Sequence, residues 1–240
     1  MPALHPLRFP RFLRAWAAAV GLALFQTLAW AAPWLDETPR VAVISAFPAE
    51  LDLLLQRVQE ARQQRVNGVR FTTGRLQGKP VVLLLSGISM TNAAMNTQLA
   101  LDRFKVTHIV YSGIAGGVNP GLHIGDVTVP QRWGQYLEVL IARETAPGTF
   151  TPPVWMDDVK LPRFGANHPR PVEVRSASQP KVHKKFWFDV DPALLAIARS
   201  IQGTALADCD AARKCLGHKP RVVVGGNGVS GPAFVDNATF

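Results

Sequence analysis

Val81 to Pro130 read VVLLLSGISMTNAAMNTQLALDRFKVTHIVYSGIAGGVNPGLHIGDVTVP, and this stretch decides the fold. Two apolar runs, Val81–Leu85 and His108–Tyr111, have strand character. Each ends in a turn of small residues: Ser86-Gly87-Ile88-Ser89 after the first, and Ser112-Gly113-Ile114-Ala115-Gly116-Gly117 after the second. Between them, Asn92 to Phe104 carries helical spacing. The pattern predicts a β-α-β unit with a glycine-rich floor at the C-terminal end of its strands, where open α/β sheets bind ligands.

The flanking sequence extends this unit. Upstream, Val41-Ala42-Val43-Ile44 is an unbroken apolar run, the mark of a strand buried on both faces. Pro48 fits the first position of a helix, and Leu51 to Arg65 shows helical apolar spacing. Phe71–Leu76 and Val81–Leu85 are expected to form a hairpin around Gly78. Downstream, Gly125-Asp126 leads into a strand, Val127-Thr128-Val129. Residues 131–190, rich in proline, tryptophan and basic side chains, read as an inserted excursion over the surface, a cover for the site. Asp191-Pro192 then suits the N-cap and first turn of a helix, Pro192 to Ser200. Arg221–Val224 is a further buried-type strand running into Gly225-Gly226-Asn227-Gly228-Val229-Ser230-Gly231. The last six of these match G-x-G-x-x-G. A dinucleotide fingerprint should open a helix in a first β-α-β unit, however, and Phe234-Val235-Asp236 is a poor helix start, so no such cofactor is expected.

The N-terminus has a different character. Arg8, Arg11 and Arg14 precede an uncharged 14-residue run, Ala15 to Leu28, followed by Ala29-Trp30-Ala31. This is the layout of a secretory signal peptide, residues 1–31, cleaved after Ala31. The run is shorter than the roughly 20 residues a spanning helix needs, so no stable membrane anchor is expected. Export places the mature chain, residues 32–240, in the periplasm or outside the cell, with a short linker, Ala32 to Arg40, at its start. Removal of the leader lowers the formal net charge from +9 to +6. Much of the remaining excess lies between Lys160 and Lys185. In an exported protein that stretch reads as a solvated loop, and no nucleic-acid partner is expected. Cys209 and Cys215, the chain's two cysteines, are spaced for a local disulfide worth about 2 kcal/mol at best. No His–Cys cluster of zinc spacing accompanies them, and no metal or other cofactor is expected.

With these residues laid out, the chain resembles the nucleoside phosphorylase/nucleosidase superfamily. Within it, the chain is most similar to exported 5′-methylthioadenosine/S-adenosylhomocysteine nucleosidase-like proteins of the bark-storage-protein-like branch. Four segments carry the match: VAVISAFPAEL at 41–51, LLSGIS at 84–89, YSGIAGGVNPGLHIGDVTVP at 111–130 and RVVVGGNGVSGPAFVDN at 221–237. The resemblance implies an α/β fold, three-layer αβα with a central mixed β-sheet, over residues 32–240. It also implies a purine nucleoside as ligand and a homodimer as assembly. The implied reaction is hydrolysis of the N-glycosidic bond through an oxocarbenium-like transition state.

Glu50 falls where the family's nucleosidases keep the carboxylate that activates water, and Ser86 matches the serine beside the nucleophile. Taken without the resemblance, Glu50 reads as a helix-start residue favoured by the macrodipole and Ser86 as a turn hydroxyl. Gly87, Gly113, Gly116 and Gly117 would let the backbone approach a ligand, or serve as turn glycines. Phe234 matches the aromatic that stacks on the purine and Val235 the residue that reads the base edge. Phe47 would line the same pocket. Core packing is the alternative for both phenylalanines. The phosphorylase branch tends to place an arginine at the strand end before the glycine turn, whereas Tyr111 stands here, so hydrolysis is favoured over phosphorolysis. A Met-Glu segment that holds the ribose and an aspartate that protonates the leaving base have no counterpart before Phe240. The expectation is therefore a C-terminally truncated domain, and a non-catalytic nucleoside-binding or storage-type protein is the alternative function.

Overall fold

Unbroken burial along Ala42–Ser45 and Val81–Leu84 shows how this sequence makes its layers. The structure, a computed structural model, describes residues 34–136, 142–154 and 171–236. The predicted signal peptide lies outside them. The described residues form two compact units. The first runs through Gly87 and includes Ala94–Ser112; the second holds Ile88–Ala93 and the residues from Gly113 onward.

The first unit contains β1 (Asp36–Ser45), α1 (Pro48–Arg57), β2 (Gln59–Val66), β3 (Val69–Leu76), β4 (Lys79–Leu85), most of α2 (Met90–Arg103) and β5 (Phe104–Tyr111). Its five-stranded sheet has the order β2-β3-β4-β1-β5. β1 runs parallel to both β4 and β5, while β2, β3 and β4 form an antiparallel meander, so the sheet is mixed. On one face Ala42, Ile44, Phe71, Val82 and Leu84 pack with Ala100 of α2 and with Phe104. On the other, Val43, Val81 and Leu83 pack with Leu51 of α1. Successive side chains of β1 and β4 thus enter different cores, which is why Val41–Ile44 and Val81–Leu85 are apolar at every position rather than alternately. This is the expected αβα layering.

Turn chemistry sets the meander. Gln77-Gly78 joins β3 to β4, with both residues at positive φ (47° and 72°), and Asn67-Gly68 joins β2 to β3 in the same way (48° and 81°). Two-residue turns of this hand match the twist of the strands they connect. The second turn corrects the expectation of a helix from Leu51 to Arg65. α1 stops at Arg57, Val58 is extended, and Gln59–Val66 is a strand. Leu51, Leu54 and Leu55 satisfy the core on the α1 side. Beyond them the polar run QEARQQR has no apolar stripe to bury and pairs as an edge strand. The expected linker Ala32 to Arg40 is also shorter than read, because β1 already begins at Asp36. Pro39 is accommodated beside register irregularities between β1 and β5, the place where a strand tolerates a missing donor.

In the second unit β6 (Val127–Val129) pairs in parallel with β13 (Val222–Val224). β7 (Arg132–Gln135) lies between β12 (Trp187–Asp189), antiparallel, and β14 (Asn227–Ser230), parallel. Two small ladders, β8 (Arg143–Ala146) with β9 (Thr149–Thr151) and β10 (Val172–Val174) with β11 (His183–Lys185), stand in the stretch read as an excursion. Its two ends, β7 and β12, are hydrogen-bonded to each other. Helix α3 (Pro192–Ser200) begins as expected, with Asp191 Oδ1 accepting from the N–H groups of Ala193 (2.8 Å) and Leu194 (3.0 Å). The G-x-G-x-x-G stretch enters β14, not a helix. Gly228 is needed there, since a Cβ would meet the Trp133 ring at 2.6 Å. Cys209 and Cys215 are disulfide-bonded.

Asp126 ties the starts of β6 and β13 together. Its side chain is 2% exposed. Oδ1 accepts from the Arg221 N–H (3.0 Å) and Oδ2 from the His123 N–H (3.1 Å). The Arg221 amide first, and the His123 amide second, hold this carboxyl below the usual carboxylate range; burial opposes them, and the charges of Arg221 and His218 add to them. A carboxyl depressed in the folded state stabilises the protein fully above its unfolded pKa of about 3.9, and the contribution is lost as pH falls through the folded value. The stability gap between the wild type and Asp126→Asn, read from urea midpoints, is therefore expected to be constant above about pH 5 and to shrink below about pH 4. A gap that does not change with pH would contradict this role for the carboxylate.

Candidate functional site

The C-terminal ends of β1, β4 and β5 lie side by side because the three strands are parallel and in register, with Ser45 opposite Leu85 and Ile44 opposite Tyr111. The ladder continues one step past the strands: the Ser86 N–H donates to Ser45 O (2.8 Å) and the Ser112 N–H to Ile44 O (2.9 Å). Four sequence-predicted residues of the first unit, Phe47, Glu50, Ser86 and Gly87, sit on the segments that leave β1 and β4 here.

Glu50 is the third residue of α1. Its Oε2 accepts from the Ala46 N–H (2.7 Å) and the Phe47 N–H (3.3 Å), two donors that the chain exposes as it leaves β1. Phe47 is the N-cap, extended at φ −145°, and it is half-buried. The carboxylate is thus drawn back from the helix toward the strand end and held by backbone amides, the charge-assisted arrangement a helix N-terminus favours.

Ser86 is fully buried. Its Oγ lies 2.8 Å from the Tyr111 hydroxyl and 2.9 Å from Gly87 O. A single hydroxyl hydrogen serves one acceptor, so Ser86 donates to the Gly87 carbonyl while accepting from Tyr111, or donates to Tyr111. Asn96 Nδ2 donates to Ser86 O at 2.7 Å. Gly87 has φ 78° and closes the turn in a conformation that favours glycine. Tyr111 and Asn96 therefore belong to this cluster; from sequence alone Tyr111 stands out only as the residue in place of an arginine. The available signal for Asn96 was a polar side chain on the inward stripe of α2.

The remaining predicted residues lie in the second unit. Gly113, Gly116 and Gly117 are not at positive φ, and a Cβ on Gly116 would meet nothing within 4 Å. Neither backbone strain nor the surrounding protein requires glycine at position 116. Phe234 is 94% exposed and Val235 half-exposed. Core packing, the alternative reading of Phe234, is not its state. Among the described residues no group of three or more His, Cys, Asp or Glu converges as a metal site would.

Residues 40–236 match the family model described as the phosphorylase superfamily. A 5′-methylthioadenosine/S-adenosylhomocysteine nucleosidase of Bacillus velezensis is 41% identical over 90 residues, which is 38% of this chain and 39% of that protein. The chain thus aligns with about two fifths of the length of such curated relatives. Among solved structures, the nucleosidase of the same description from Neisseria meningitidis, in complex with methylthio-immucillin-A, has a TM-score of 0.54 at 26% identity, over 83% of this chain and 68% of that one. The adenine complex of the Colwellia psychrerythraea nucleosidase has a TM-score of 0.55 at 21% identity, over 86% and 67%, and shows likeness of fold.

Removing the Tyr111 hydroxyl in Tyr111→Phe takes one partner from Ser86 without leaving a cavity. It is expected to lower stability by about 0.5–1.5 kcal/mol, measured as a shift in urea midpoint at unchanged m-value. No shift would mean that Tyr111 and Ser86 do not share a hydrogen bond in solution.

Proposed function

Since the chain belongs to the phosphorylase superfamily, we propose that it serves hydrolysis of the N-glycosidic bond of a purine nucleoside of the 5′-methylthioadenosine/S-adenosylhomocysteine type. The observation that carries this reading is Glu50, an acidic side chain drawn back to the C-terminal end of β1 by the Ala46 and Phe47 amides. β1 is the neighbour of β4, after which the buried Ser86 meets the Tyr111 hydroxyl. A carboxylate so placed accepts a proton from an attacking water, and general-base assistance of this kind contributes about 10²–10⁴ in rate. Phosphorolysis would instead need an anion clamp, which arginine supplies best. At the end of β5 the chain has Tyr111, whose hydroxyl is engaged with Ser86. The relatives and structural neighbours described as nucleosidases support the hydrolytic choice.

In this reading the purine stacks on Phe234 and its edge is read at Val235, while Gly113, Gly116 and Gly117 leave room for the ribose. Stacking on a planar base is worth about 1–3 kcal/mol. The exposure of Phe234 suits a side chain that waits for a ligand. Assembly as a homodimer and export behind the leader of residues 1–31 belong to the same proposal.

The test is adenine release from methylthioadenosine, with and without phosphate, by the protein and by Glu50→Gln. Release independent of phosphate and reduced about 10²–10⁴-fold in the variant is the expected result. Release that requires phosphate would make the protein a phosphorylase. Purine binding by calorimetry without release in either buffer would make it a binding protein. Export predicts that mass spectrometry of the extracellular or periplasmic material finds a chain starting at Ala32; an intact Met1 chain in the cell would refute it.

A further inference from the structure

The five-stranded sheet is hollowed at the other end of its strands. Opposite the strand ends that carry Ser45 and Ser86, a cavity of about 830 Å³ opens at the beginnings of β1 and β4, lined among others by Arg40, Arg62, Arg75, Thr38, Thr73 and Glu60. We propose that this cleft binds a small polyanion, a molecule carrying phosphate or carboxylate groups.

The cleft exists because β2 does not follow β3 regularly. Their register slips between Gln59 and Arg62, and Glu60 takes a positive φ of 54°. Gly74 permits the displaced strand to cross closely: a Cβ there would lie 2.5 Å from Gln59 O and from Val58 Cγ2. Bulges of this kind re-aim side chains and are frequent beside binding sites. Here Arg62 stands across from Thr73 on the neighbouring strand.

The three arginines have different duties. Arg40 is pinned: its Nε donates to Asp36 Oδ2 (2.6 Å), and its Nη1 donates to Gly74 O (3.1 Å) and Val81 O (3.2 Å). It forms a neutralised wall. Arg75 donates from Nη1 to Gly78 O (2.9 Å), and its Nε lies 3.5 Å from a largely exposed Glu60 carboxylate, a pairing of little strength. The Arg62 guanidinium has no hydrogen bond or ion pair among the described residues. Thr73 is almost fully buried, and its hydroxyl makes one long contact to Arg62 O (3.4 Å). Two guanidinium forks, those of Arg62 and Arg75, therefore line a cavity held open by the backbone, and one weakly paired carboxylate competes for them. Oxyanions are the ligands that such forks take in bidentate fashion. The surrounding charge agrees: from Arg57 to Pro80 there are six basic residues (Arg57, Arg62, Arg65, Arg70, Arg75, Lys79) and a single acid, Glu60. The lining itself sets three arginines against Asp36 and Glu60, and an excess of one charge concentrates ligands of the other.

The probes are inorganic phosphate and citrate, titrated calorimetrically into the full chain, with chloride at matched ionic strength as the screening control. Saturable binding of at least one probe is expected, weaker by about tenfold for Arg62→Ala and for Arg75→Ala. Glu60→Gln should bind severalfold more tightly, a gain that a misfolded variant cannot imitate. Arg70→Ala, which removes a charge from the same hairpin but not from the cleft lining, should bind as the wild type does. The relative strength of phosphate and citrate tells which oxyanion is preferred. The proposal is overturned if chloride reproduces the response, if Arg62→Ala and Arg75→Ala bind as the wild type does, or if Arg70→Ala loses as much as they do.

Discussion

The parallel pairing of β1 with β4 on one side and β5 on the other is the constraint on which the rest of the first unit depends. In-register parallel strands finish at one level, so the chain must turn out of the sheet three times in one place. Ala42–Ile44 of β1 and Val81–Leu84 of β4 are covered on both faces and apolar, whereas β5 is largely exposed. Polar residues are displaced to the ends, where Ser45, Ser86 and Tyr111 stand. The first two are fully buried, and of their hydroxyls Ser45 Oγ has no hydrogen-bond partner among the described residues. Ser86 finds Tyr111 and Gly87 O, so the strand ends are joined by side chains as well as by backbone.

Glu50 shows how one local rule serves two purposes. A helix that starts directly after a strand leaves N–H groups without acceptors, and a carboxylate at its third position satisfies them. The same contacts bring the negative charge back over the strand end. The helix-start reading and the chemical reading of this residue describe one geometry, and replacing the carboxylate acts on both. An amide side chain keeps an acceptor for the backbone while removing the base, which separates the two effects.

The opposite ends of the strands are built from charge. Asp36 and Arg40 in the first unit, and Asp126 with the Arg221 backbone in the second, hold strand beginnings by charge-assisted hydrogen bonds. Asp36 is kept below the usual carboxylate range although burial works against it, because Thr38 donates to it from its side chain and its backbone and Arg40 lies beside it. In the same region Gly74 and the slipped register of β2 create a cavity that a regular sheet would not contain.

Much was legible in the sequence because it rests on interactions a few residues long. The unbroken runs Val41–Ile44, Val81–Leu85 and Val222–Val224, the Asp191 cap and the Gly78 turn each carry their own instruction. So does Asn67-Gly68, a hairpin signal that helical spacing in Leu51–Leu55 had masked when it was extended to Arg65. The sequence by itself determined the β-α-β unit, the two-sided burial of Val41–Ile44 and the family. Only the tertiary structure decided that Gln59–Val66 is an edge strand, that Tyr111 and Asn96 hold Ser86, that Phe234 lies exposed, and that three arginines share a cleft. These depend on which distant strands pair and in what register. Side chains 25 residues apart, such as Ser86 and Tyr111, meet through that pairing, and no local spacing encodes it.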